Sequence, residues 1–85
     1  TEIVELASLV ERAARDAAGP ERGERLKLDL AEGLRIHGDR QQLEQLVRNL
    51  VDNALKYGDL EAPVTIELAE GRDRQARLVV TDRGE

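Results

Sequence analysis

The chain has 85 residues, of which 40% are hydrophobic and 36% charged, with a net charge of −5 and a single aromatic residue, Tyr57. That length allows one small domain, and the balance excludes both a disordered polymer and a membrane-spanning segment, the longest apolar run being Leu78-Val79-Val80. Without cysteine there is no disulfide framework, thiolate metal site or cysteine nucleophile; an acidic chain without stacking aromatics is not a nucleic-acid binder.

After an extended lead, the segment Glu5 to Gly19 places Leu6, Leu9, Val10, Ala13, Ala14 and Ala17 at helical spacing. Gly19-Pro20 is expected to end this helix and "PERGER" to form a charged surface loop. "LKLDL" (Leu26 to Leu30) and "LRI" (Leu34 to Ile36) alternate with period two around a Glu32-Gly33 turn, which predicts strands with one buried face. Gly38 then breaks the strand, and Asp39 with Gln42 three residues on forms a capping-box pattern opening a second helix.

The stripe of that helix is Leu43, Leu46, Val47, Leu50, Val51, Ala54 and Leu55, with Gly58 at the expected terminating position. Beyond a "GDLEAP" connection, Val64 to Ala69 and Ala76 to Asp82 read as two strands around an "EGRDRQ" turn. Two single-striped helices with several alternating strands predict an α+β two-layer sandwich, the helices on one face of a mixed, largely antiparallel sheet. The core holds only Leu, Ile, Val and Ala and is light for the chain's size, as expected where further chain completes the domain.

On the second helix Asn49, Asn53 and Lys56 fall within an arc of about 60°, some 130° from the middle of the apolar stripe. Asparagine is a mediocre helix former, costing a few tenths of a kcal/mol in a helix body. On spacing alone, polar residues on a polar face need no function. Their chemistry offers an alternative: an amide oxygen is a neutral hard ligand for Mg²⁺, and a nearby ammonium neutralises phosphate. "VVTDRGE" (Val79 to Glu85) ends a strand on Asp82, a carboxylate able to accept from an exocyclic amine, or simply the opening of an ordinary turn.

Together, "GDRQQLEQLVRNLVDNALKYG", a strand pair and "VVTDRGE" resemble the front part of the ATP-binding catalytic domain of sensor histidine kinases, within the GHKL (HATPase_c, Bergerat) fold shared with gyrase, Hsp90 and MutL-type ATPases. The stretch Asn49 to Tyr57 is similar to that family's N box, Asp82-Arg83-Gly84 to the opening of its first glycine box, and the lead to its usual entry. The resemblance implies two cofactors, ATP and Mg²⁺. It makes Asn53 the metal ligand, Asn49 a contact to phosphate or the metal shell, and Lys56 a phosphate contact. Tyr57 would line the pocket, Asp82 would accept the adenine amino group, and Gly84 would let the backbone pass close to the base.

The implied activity is that of a protein-histidine kinase, passing a phosphoryl group to a histidine of its own dimerisation domain for relay to a response-regulator aspartate. Hydrolytic members of the wider fold carry a glutamate where this chain has Asn49, so an amide there favours a histidine acceptor over water. A degenerate scaffold without phosphotransfer is the alternative, and a gyrase-type ATPase is a third reading that Asn49 disfavours.

The resemblance further implies that the chain, residues 1–85, stops short of the lid and second glycine box, contains no catalytic residue of its own and is inactive alone. It implies a homodimeric kinase whose catalytic domain is cytoplasmic, any membrane contact being made elsewhere. His37, the only histidine, lacks the acidic partner of a phosphoacceptor motif and reads as a strand-end surface residue.

Overall fold

A computed structural model describes residues 2–57 and 63–81. The order is β1 (Glu2–Glu5), α1 (Leu6–Arg22), β2 (Leu26–Leu30), β3 (Arg35–Gly38), α2 (Arg40–Tyr57), β4 (Val64–Glu70) and β5 (Ala76–Thr81). The strands divide into an antiparallel ribbon, β1–β3, and a three-stranded sheet, β2–β4–β5, in which β2 runs parallel and β5 antiparallel to β4. The α+β, mixed and largely antiparallel character expected from the pattern is present.

The partners of β2 and β3 follow from the turn between them. Gly33 takes φ 85, a left-handed conformation open to glycine, and redirects the chain so that β3 leaves β2 and pairs with β1, Val4 against Ile36. At the base of this ribbon the Leu6 amide donates to the Leu34 carbonyl at 3.0 Å, so one unpaired donor of the first turn of α1 is satisfied from β3.

The α1 helix breaks at Gly19 (φ 70, ψ −179), as the Gly-Pro pair predicts. The following segment corrects the expected loop: Pro20–Arg22 resumes helical geometry and Gly23–Arg25 forms a 3-10 turn leading into β2. Proline suits the first position of a helical turn because its φ is preset and its missing N–H would have no partner there. The segment is therefore a short second helical turn, set off by one glycine.

Asp39 caps α2 through Oδ1, which accepts from the backbone amides of Gln41 (2.9 Å) and Gln42 (3.3 Å). Asp39→Ala removes this acceptor, and about 1 kcal/mol of stability should go with it, read as a lower urea midpoint at unchanged slope. A midpoint equal to the parent's would show that the cap is dispensable.

The core lies between the helix pair and the sheets. Ala13 and Ala14 of α1 are fully buried, as are Val51 of α2 and Val4, Val64 and Ile66 of the strands, with Val47 and Leu55 nearly so. Small side chains on α1 let α2 approach closely. At the rim of this contact Arg48 of α2 donates to Asp16 of α1 at 3.3 Å, an exposed pair of little energetic weight that records the register of the two helices.

The apolar stripe of α2 is narrower than its sequence suggests. Leu46 is 52% and Leu50 40% exposed, whereas Val47, Val51, Ala54 and Leu55 are buried and Leu43 is partly so. At about 100° per residue, Leu46 and Leu50 sit roughly 100° and 60° to one side of Val47, beyond the arc that faces α1 and the sheet. A cavity of about 180 Å³ between the layers, lined among others by Leu43, Leu46, Ala76 and Leu78, opens beside them.

Candidate nucleotide site

Asn49, Asn53 and Lys56 all lie on α2 and all are exposed. The Asn49 Oδ1 accepts from the Gln45 side-chain amide at 3.2 Å, one turn earlier, and Lys56 Nζ pairs with Asp52 Oδ2 at 2.9 Å, also one turn earlier. The Asn53 amide has no side-chain hydrogen bond among the described residues. Two of the three polar groups are thus steadied by neighbours in their own helix, and the middle one is open to a ligand.

Gln45 and Asp52 were not among the residues singled out from sequence. The signal for both was present in their i, i+4 spacing to Asn49 and Lys56.

The exposed leucines change the character of this face. Leu46 and Leu50 each lie three residues before an asparagine, Asn49 and Asn53 in turn, so the amides border an apolar strip. A surface with hard oxygen and ammonium groups beside bare hydrocarbon suits a ligand that is itself part charged and part apolar.

Asp82 and Gly84 lie outside the described residues, as does Gly58, and the backbone of Tyr57 closes α2. The carriers of the two motifs nevertheless end at one end of the molecule. Arg25 Nη1 donates to the Leu55 carbonyl at 3.4 Å, tying the last turn of α2 to the start of β2; Leu26 registers with Val64, and Thr65 with Thr81. The last turn of α2 and the end of β5 are therefore joined through the first residues of β2 and β4. The grooves elsewhere have no part in this face: one of about 660 Å³ runs between the start of α1 and β2.

Among the described residues no group of three or more His, Asp or Glu side chains is placed to hold a metal ion. The donor set on α2 has a different fit: one neutral amide oxygen and an ammonium beside it match a Mg²⁺ that keeps most of its waters and arrives on phosphate oxygens. His37 sits exposed on β3, paired in register with Ile3.

An antiparallel ribbon, a mixed sheet and a helix pair presenting this face define a class. The chain belongs to the family of histidine kinase-, DNA gyrase B- and HSP90-like ATPases, whose sequence model matches residues 38–85, a span that includes every candidate site residue. ATP is the ligand that such a family description implies.

Among its relatives, the signal transduction histidine-protein kinase BaeS of Escherichia coli (strain K12) is 36% identical over 61 residues, covering 72% of this chain and 13% of that protein. The sensor protein kinase CarS of Pseudomonas aeruginosa is 42% identical over 52 residues, 61% of this chain and 11% of that protein. The solved mycobacterial sensor histidine kinase MprB superposes with a TM-score of 0.81 at 25% identity, over 98% of this chain and 54% of that one. The chain thus spans only a small part of the curated relatives it matches. No helix among the described residues is long and apolar enough to cross a membrane.

Proposed function

We propose that residues 1–85 are the front part of the ATP-binding domain of a sensor histidine kinase, and that α2 and the segment after β5 hold Mg²⁺-ATP for phosphoryl transfer to a histidine. The observation that carries this reading is the exposed face of α2, where Asn49 and Asn53 stand one turn apart with Lys56 beyond them, and position 49 is an amide and not a carboxylate. The relatives described above are sensor or signal-transduction histidine kinases or sensor protein kinases, which supports the same class.

In this reading the Asn53 amide oxygen is a Mg²⁺ ligand and Asn49, steadied by Gln45, contacts phosphate or a metal-bound water. Lys56 moves from Asp52 to a phosphate oxygen, a change between two pairings of similar weight on an exposed helix. Bound Mg²⁺ supplies charge neutralisation at the phosphates. Tyr57 lines the pocket, Asp82 accepts the adenine amino group and Gly84 lets the backbone close on the base. Phosphoryl transfer depends mostly on positioning and electrostatics, so holding the nucleotide at both ends is the contribution asked of these residues.

Asn49 bears on the acceptor. An amide cannot take a proton from water, whereas an imidazole near neutral pH is already nucleophilic and needs no base. The acceptor in this reading is a histidine on the kinase's own dimerisation domain, and a response-regulator aspartate receives the group next.

The test is binding of a fluorescent ATP analogue by the kinase that carries this chain, with ATP and GTP as competitors. With Asp82→Ala the preference for ATP over GTP should fall about tenfold or more, the size expected for loss of a charge-assisted hydrogen bond to the base. An unchanged preference removes Asp82 from the base site; an intact protein that binds no nucleotide favours a scaffold that has lost the activity.

A further inference from the structure

Among the described residues the outer side of β2 is an open sheet edge. Among the described residues, no strand pairs with β2 except β4. The Ala31 amide donates to Leu68 at 2.9 Å, so in this parallel ladder the odd-numbered residues of β2 turn their backbone groups toward β4. Leu26, Leu28 and Leu30 then turn theirs outward, leaving a row of unpaired donors and acceptors. Beside that row runs the groove of about 660 Å³, with Leu28 and Leu30 along its floor and Ser8, Glu11 and Arg15 of α1 above.

The face away from the helices carries exposed Lys27 and Asp29, neither of them ion-paired among the described residues. Asp29 has a like charge as its register partner, exposed Glu67 of β4. Asp29 thus has a like-charged register neighbour on one side and, among the described residues, no strand on the other.

We propose that β2 pairs antiparallel with β2 of a second copy of this chain about a two-fold axis at Leu28. The register is self-complementary in three respects. Leu26, Leu28 and Leu30, whose backbone groups point outward, meet Leu30, Leu28 and Leu26 of the second copy, forming about six hydrogen bonds at hydrogen-bonded positions of the ladder. Their side chains meet on the helix side, continuing the groove floor. Lys27 of each copy falls opposite Asp29 of the other, at the closer, non-hydrogen-bonded positions, and offsets the Asp29–Glu67 repulsion. Shifting the register by one residue would turn inward-paired backbone groups to the new partner, and shifting it by two would uncouple the charges.

The result is a continuous six-stranded sheet with both helix pairs on one face. It is independent of the nucleotide reading, since β2 carries none of the residues placed at that site.

Sedimentation velocity on the chain at concentrations up to about 1 mM tests this, together with charge exchange at two exposed positions. The parent should show a concentration-dependent dimer. Lys27→Asp and Asp29→Lys each place like charges face to face twice and should weaken association about tenfold or more, while the double exchange restores it. Circular dichroism identical to the parent's establishes that each variant is folded. A parent that stays monomeric overturns the proposal, and so does a dimer that the single exchanges leave unchanged.

Discussion

Asn53→Ala is expected to weaken Mg²⁺-dependent binding of an ATP analogue by about 100-fold or more, with binding measured in chelator much less affected. The expectation rests on where Asn53 lies. Its side chain is exposed and makes no hydrogen bond among the described residues, so the substitution breaks nothing within the fold. Alanine is also the better helix former by a few tenths of a kcal/mol, and the variant should unfold at the same or slightly higher urea concentration. Lost affinity with retained stability is thus a signature of ligand contact. Equal Mg²⁺-dependent affinity in parent and variant would remove Asn53 from the metal site.

Ile66→Ala should have the largest effect on stability, about 3 kcal/mol. Ile66 is fully buried on the central strand of the larger sheet, with Leu28 on one side in register and Val80 on the other. Truncation leaves a cavity flanked by both neighbouring strands, which cannot collapse without disturbing two ladders. A domain of this size has a total stability of only roughly 4–13 kcal/mol, and the melting temperature should fall by about 12 °C or more. Leu50→Ala is the matched contrast: removing a 40% exposed leucine from the outer side of α2 should cost less than about 1 kcal/mol. Comparable losses at the two positions would mean that the core is not centred on β4.

What the sequence made legible is local. The α2 helix was readable from Asp39 onward because cap, stripe and length are all encoded within consecutive residues, and the cap forms as its residue type requires. Strands were readable from period-two alternation, but their partners were not. Pairing of β2 with β4 across some forty residues, and of β3 with β1, depends on which edges the helices leave open. The same non-local cause explains Leu46 and Leu50, whose spacing fits the stripe although the described residues cover them only in part. The "PERGER" segment departs from the expected loop because proline after glycine, besides stopping one helix, also starts a turn.

The candidate site divides in the same way. Asn49, Asn53 and Lys56 are candidates through the N-box resemblance and not through spacing, since a solvated polar face has the same pattern and the same exposure on α2. The intrahelical partners Gln45 and Asp52 were overlooked because ordinary i, i+4 pairs carry no chemical surprise. Asp82 and Gly84 rest on the motif they form, since they lie beyond the described residues.

Ala13 and Ala14 are fully buried on α1, the helix packed against α2. Because such small side chains set the spacing between α1 and α2, a methylene added there pushes the second helix outward, carrying both asparagines with it. The outward face of α2 can therefore be shifted by volume changes at buried positions of the neighbouring helix.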